Sequence, residues 1–144
     1  MHLRTLTLQA IGPFADRHTI DFAELGASGL FLLEGPTGAG KSTLIDAVVF
    51  ALYGTVASPQ ASDERLRSTA ADPETESFVD LVVEVGAGTF RIRRSPQYER
   101  AKRRGEGTTT QQATVRAWRM PADTPTGAPP EELDAYGEPL SNRL

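Results

Sequence analysis

The feature that most constrains this chain is the octapeptide Gly35-Pro36-Thr37-Gly38-Ala39-Gly40-Lys41-Ser42, a match to G-x-x-x-x-G-K-[ST]. The pattern has a mechanism only between a strand and a helix, and both flanks have that character. Gly29-Leu30-Phe31-Leu32-Leu33-Glu34 is a continuous apolar run of strand length, the kind buried on both faces of a sheet. After the loop, Leu44, Ile45, Val48, Val49, Leu52 and Tyr53 recur at helical spacing, which predicts a helix over Lys41–Tyr53 with Gly54 as its C-cap. A loop of this kind turns its backbone N–H groups inward, and its glycines allow the close wrap. The helix N-terminus adds partial positive charge and unpaired donors. Lys41 can reach β- and γ-phosphates, the Ser42 hydroxyl can ligate Mg²⁺, and Thr43 is placed for an α-phosphate. Gly35, Pro36, Thr37, Gly38, Ala39, Gly40, Lys41, Ser42 and Thr43 are therefore the candidate nucleotide contacts, with a nucleoside triphosphate and Mg²⁺ as ligands and Ser42 as the metal ligand.

Elsewhere the periodicity is that of strands. Leu3–Ala10 alternates, with Leu3, Thr5, Thr7 and Gln9 on one face and Arg4, Leu6, Leu8 and Ala10 on the other. Ile11-Gly12-Pro13-Phe14 is a turn, and Arg17–Phe22 a second strand. Residues 55–76 are polar and predict a mobile connection with one short helical turn near Glu64–Ser68. Phe78–Val85 and Thr89–Arg94 flank Gly86-Ala87-Gly88, which predicts a hairpin with Phe90 and Ile92 inward and Arg91 and Arg93 outward. Tyr98–Thr110 reads as an exposed ribbon or loop, and Ala113–Met120 as a strand anchored by Val115 and Trp118. Residues 121–144 are rich in proline, glycine and acid and predict a poorly packed tail, so the lobe itself is assigned to residues 1–120.

Composition excludes several classes. The absence of cysteine removes disulfide, thiolate-zinc and cysteine-nucleophile chemistry, and two histidines argue against a multi-histidine metal site. No stretch suits a membrane span or a signal peptide, which predicts a cytoplasmic protein without membrane partners. The formal net charge of −4 conceals an asymmetry. Residues 91–119 hold nine of the fifteen basic side chains and only two acids, a local charge of +7 that leaves −11 on the remainder. Such a stretch is either a phosphate-facing surface or the solvated face of a ribbon.

Hydrolysis requires more than a phosphate loop: a second acid on Mg²⁺ and a group that orients water. Glu84 is the nearest candidate, but its strand alternates and runs into a hairpin, so it is rejected as the Mg²⁺ carboxylate. No catalytic residue is assigned in this chain.

Leu6-Thr7-Leu8-Gln9-Ala10-Ile11-Gly12-Pro13-Phe14, Ile20-Asp21-Phe22, Gly35–Thr43, Asp46-Ala47, Ala51-Leu52-Tyr53-Gly54, Phe90-Arg91-Ile92-Arg93-Arg94-Ser95-Pro96 and Arg103–Thr109 together resemble the amino-terminus of the SbcC family. These are the ATPase subunits of SbcCD exonucleases and relatives of the SMC proteins. The resemblance implies an α/β fold, the amino-terminal lobe of an ABC-type P-loop NTPase head, with mixed or antiparallel β-structure and one phosphate-loop helix. It implies that the Mg²⁺ carboxylate, the catalytic glutamate and the signature motif lie in a second lobe outside an amino-terminal fragment like this one. Two complete heads would form a homodimer around ATP and act with an SbcD-type nuclease on DNA ends, in double-strand break repair and recombination. Arg65 and Arg67 would lie where the family approaches the base. The isolated chain would be a poor ATPase. A stand-alone nucleotide-binding regulatory module and a small kinase are the alternatives the residues leave open.

Overall fold

Alternating apolar residues and turn-forming glycines build most of the molecule as β-structure. The computed structural model describes residues 1–25, 41–56 and 66–140. Strands β1 (His2–Ile11), β2 (Phe14–Asp21), β3 (Phe78–Val85), β4 (Gly88–Ser95), β7 (Thr114–Met120) and β8 (Glu138–Pro139) form one sheet in the order β2-β1-β3-β4-β7-β8. Every pairing in it is antiparallel. A separate two-stranded ribbon pairs β5 (Tyr98–Ala101) with β6 (Thr108–Gln111). Helix α2 (Lys41–Tyr53) lies on the sheet, while α1 (Phe22–Leu25) and α3 (Pro130–Leu133) are single turns. The fold is thus α/β, an antiparallel sheet carrying one substantial helix among the described residues. The apolar run at residues 29–34 and the loop at 35–40 lie outside the described residues, as do Glu64 and Arg65 of the helical turn expected near Glu64–Ser68.

The sheet has two covered faces. On one, Leu6, Leu8, Val79, Leu81 and Val83 pack with Ala47, Phe50 and Ala51 of α2. On the other, Val82, Trp118 and Met120 pack with Ala128 and Leu133 of the carboxy-terminal segment. This explains why β3 is buried over six consecutive residues, Phe78 to Val83, although its sequence alternates. The expected hairpin of β3 and β4 forms, closed by the pair Val85 and Gly88, but it is not an isolated element, because β1 pairs along the other edge of β3.

The carboxy-terminal segment corrects the expectation of a poorly packed tail. Leu133 is 1% exposed and Ala128 6%, Pro130 is buried, and β8 adds to the sheet beside β7. Few apolar residues suffice because they cover a sheet face that is already formed. Polar contacts complete the seal: Gly127 N–H donates to Thr5 Oγ1, and Arg4 donates to the Thr124 carbonyl.

Three further expectations, for Leu3, Arg91 and Val115, change. A register shift between Leu3 and Thr5 inserts a bulge in β1. Leu3 therefore packs with Leu6 and Leu8 on the α2 face rather than sharing a face with Thr5. Arg91, expected outward, is wholly buried, and Val115, expected as an anchor, is half exposed. Arg91 Nε and Nη2 both donate to the carboxylate of buried Asp80, at 2.6–3.1 Å, and Nη1 donates to Asp134 at 2.7 Å. Its guanidinium also lies 4.4 Å from the Trp118 ring centroid. Burial alone would lower the Arg91 pKa, but hydrogen bonds and charge from Asp80, then Asp134, outweigh it and hold the group above its ordinary value.

Candidate functional site

The candidate site is built on the first turn of α2. Ala47, Phe50 and Ala51 bury one stripe of the helix against the sheet. Its far end is closed by Gly54, at φ +77°, whose N–H donates to the Phe50 carbonyl at 2.8 Å. Arg94 on β4 donates through Nε to the Ala51 carbonyl at 2.9 Å, so a cation sits at the negative end of the helix dipole. The opposite, electropositive end carries no acidic residue in its first turn, and Ser42 there is exposed. That chemistry suits phosphate, and an exposed hydroxyl is free to serve as a hard oxygen donor to Mg²⁺. Gly35, Pro36, Thr37, Gly38, Ala39 and Gly40, the Lys41 side chain and Arg65 lie outside the described residues.

Thr43 is half buried against the β1–β2 turn. A Cβ added to Gly12 would stand 2.6 Å from Thr43 Cγ2 and 2.8 Å from Thr43 Oγ1. The turn is held from behind. Gly12 N–H donates to the Leu66 carbonyl and Ser68 N–H to the Ala10 carbonyl, while Ile11 bridges to Arg67. Ser77 Oγ also donates to the Ala10 carbonyl, and Ala10 itself sits at φ +53°.

Arg67 is anchored within this scaffold. Nη1 donates to the Thr75 carbonyl and Ser77 Oγ, and Nη2 to the carbonyls of Asp72 and Pro73. The guanidinium also lies over the Tyr98 ring at 4.2 Å. Its donors organise the 72–77 loop behind the β1–β2 turn. Glu84 stands at the far end of β3, its side chain 54% exposed and 3.9 Å from Arg4. Among the described residues no three His, Asp or Glu side chains cluster to hold a metal ion.

The basic stretch divides into two populations. Arg91 pairs with Asp80 and Asp134, Arg93 with Glu76 and more distantly Asp80, and Arg94 caps α2. Arg93 also lies 3.9 Å over Phe78, Arg116 over Trp118 and Arg119 over Phe90. Arg100 donates to Gln111 within the ribbon. Lys102, Arg103 and Arg104, between β5 and β6, are exposed and make no side-chain hydrogen bond or ion pair among the described residues.

The motif puts forward Ser42 and Thr43 as candidates, whereas the packing of Gly12 against Thr43, the brace from Ser77 and the Arg94 cap at the far end of α2 come from the structure. From its own residues the Gly12-Pro13 pair is legible as a turn, and only the resemblance to the SbcC family's relatives puts that turn near a nucleotide. Nothing local indicates that it meets α2, because the contact spans some thirty residues of chain.

Residues 5–122 match a family model described as an AAA domain, and the chain belongs to that family. Within it, the relatives are specific. The chain is 44% identical over 104 residues to the SbcC subunit of the nuclease SbcCD from Vibrio cholerae serotype O1, covering 72% of this chain and 10% of that protein. It is 37% identical over 111 residues to the same subunit from Lactococcus lactis subsp. lactis, covering 77% of this chain and 10% of the relative. With that of Treponema pallidum it shares 44% identity over 91 residues, covering 62% and 8%. The chain thus spans about a tenth of the length of these curated relatives. No helix among the described residues is long and apolar enough to cross a membrane.

Proposed function

We propose that this chain is the ATP-binding lobe of an SbcC-type ATPase, acting with an SbcD-type nuclease at DNA ends in double-strand break repair. The observation that carries the reading is the phosphate-loop motif running into α2, whose first turn is free of acid and presents an exposed Ser42. Backbone N–H groups of that turn and the Lys41 ammonium would hold phosphate oxygens. The Ser42 hydroxyl would hold Mg²⁺, which supplies charge neutralisation at the phosphates when bound. Gly35, Gly38 and Gly40 would let the loop close on them, and Thr43 would meet the α-phosphate. A partner lobe, joined in a dimer of heads, would contribute the remaining acid and water-orienting groups.

The names of the relatives support the nuclease partner, and the DNA substrate rests on the resemblance to the SbcC family. Lys102, Arg103 and Arg104 would meet DNA phosphate, since they are exposed between β5 and β6 and make no side-chain bond, ion pair or ring contact among the described residues.

The direct test is titration of the protein with Mg²⁺–ATP before and after Lys41→Ala and Ser42→Ala. The wild type is expected to bind, Lys41→Ala to lose at least about tenfold in affinity, and Ser42→Ala to lose the Mg²⁺ enhancement. Equal binding by all three proteins refutes the site. Turnover by the 144-residue chain alone at a rate of about 1 s⁻¹ or more would refute the division of catalytic groups between two lobes.

A further inference from the structure

Gly12 lies outside the phosphate-loop motif, yet it stands against the helix that the motif opens. We propose that Gly12 is a positioning residue for the nucleotide site: the β1–β2 turn presses on Thr43 and fixes the direction of its hydroxyl. The proposal rests on the nucleotide-binding reading above and adds a determinant to it.

The contact is unusually complete. The position of a Gly12 Cβ lies within 2.6 Å of Thr43 Cγ2, 2.8 Å of Oγ1 and 3.3 Å of Cβ. Both branches of the threonine therefore face the turn, and neither leaves room for one more carbon. A helical threonine divides between two χ1 rotamers, because its hydroxyl can turn back to a carbonyl of the preceding turn. A surface pressed against both branches selects between them without bonding to either. Only glycine permits that approach at φ +53°, where it has neither the steric penalty nor the bulk of a side chain.

The turn cannot easily retreat. Gly12 N–H is tied to Leu66 O at 2.8 Å and Ser68 N–H to Ala10 O at 2.9 Å. Ser77 Oγ donates to Ala10 O at 2.8 Å and accepts from Arg67 Nη1 at 2.7 Å. Ala10 is held at φ +53°, a conformation alanine rarely adopts. Strained backbone persists only where its surroundings over-determine it, and here three segments converge on it. The chain Arg67–Ser77–Ala10 thus braces the turn from behind, and Gly12 transmits that bracing to Thr43.

Mg²⁺–ATP affinity and thermal unfolding without nucleotide are measured for the wild type, Gly12→Ala, Thr43→Ser, the Gly12→Ala/Thr43→Ser double variant and Ser77→Ala. Gly12→Ala is expected to weaken ATP by about tenfold or more. The double variant should bind more tightly than Gly12→Ala, because serine lacks the methyl group and can rotate its hydroxyl clear. Backbone strain at residue 12 would be the same in both, and relief of the clash with the Thr43 methyl would show as regained thermal stability, so affinity recovered beyond any gain in thermal stability marks positioning. Ser77→Ala loosens the brace without touching the site and should weaken ATP by about threefold. It also decides the matter if Gly12→Ala does not fold. Wild-type affinity in Gly12→Ala, no recovery in the double variant, or unchanged affinity in Ser77→Ala each overturns the positioning role. Failure of the wild type itself to bind ATP overturns the nucleotide reading, and this one with it.

Discussion

Replacing Arg91 by methionine should cost about 3–5 kcal/mol of folding stability, the range for breaking a buried ion pair from one side. The structure places the change near the upper part of that range. Arg91 is 0% exposed and the Asp80 side chain 1%, so the carboxylate left behind has no water to turn to. Three charge-assisted hydrogen bonds to Asp80 disappear at once. Among the described residues, the other cation near it is Arg93, whose Nη1 is 4.0 Å from Asp80 Oδ2. Asp134 is 59% exposed on its side chain, so losing its bond contributes at most about 1 kcal/mol after solvent screening. The assay is urea unfolding followed through Trp118, the only tryptophan, which lies directly against Arg91. With a urea slope of about 2 kcal/mol per molar, the midpoint should fall by about 2 M. The double variant Arg91→Met/Asp80→Leu should recover much of the loss, because no unpaired charge remains. A loss below about 1 kcal/mol for Arg91→Met, or no recovery in the double variant, would refute the account.

Three shorter tests address other parts of the molecule. Arg17 donates to Glu131 and holds its carboxyl below the usual 4.5, a shift in which backbone hydrogen bonding at Glu131 also takes part. A depressed carboxylate stabilises the fold above its unfolded pKa and loses that contribution as pH falls through the folded value. Wild type should therefore exceed Glu131→Gln by less than about 1 kcal/mol at neutral pH, with the gap closing below about pH 4.5 in acid titrations of stability. Arg94→Ala removes the hydrogen bond and the cation at the end of α2, and should cost roughly 1–2 kcal/mol by denaturant unfolding. Reversing Lys102, Arg103 and Arg104 to glutamate in a protein that binds DNA should lower affinity and reduce the salt slope by about one unit per lost phosphate contact, whereas reversing Glu99 should not; an unchanged slope would mean that the ribbon does not meet DNA.

How far the fold can be read from the sequence depends on the range of the interactions that set it. The β3–β4 hairpin follows from alternation around Gly86-Ala87-Gly88, and the sheet keeps that register through Val85 and Gly88. Helix α2 follows from its spacing and from Gly54, both local. The bulge at Leu3–Thr5 is not local: it lets Leu3 reach the α2 face, and only the pairing with β3 reveals it. The carboxy-terminal layer was hidden because composition weighs a segment alone, whereas Ala128, Pro130 and Leu133 are buried by what they cover. At the site, the motif named Ser42 and Thr43, while Gly12 and Ser77 became visible only once β1 and α2 were brought together.

Arg91 shows why charge read along a chain misleads about surfaces. Alternation places it opposite Phe90 and Ile92, and a charged residue opposite an apolar face is ordinarily solvent-facing. That inference fails when the second face of the sheet is covered as well, because the alternating charge is then enclosed. The enclosure is tolerable only with partners for the guanidinium, and Asp80, Asp134 and the Trp118 ring supply them. The cations that give residues 91–119 their +7 divide by partner. Arg91 and Arg93 neutralise carboxylates, Arg94 serves the end of α2, and Arg116 and Arg119 lie on aromatic rings. Lys102, Arg103 and Arg104, on the segment that leaves the sheet, have neither a side-chain bond, an ion pair nor a ring contact among the described residues, while Arg116 and Arg119 are exposed without a carboxylate partner. Any phosphate-facing role of the basic stretch therefore falls to its exposed cations, foremost the three at the tip of the β5–β6 ribbon, rather than to the run as a whole.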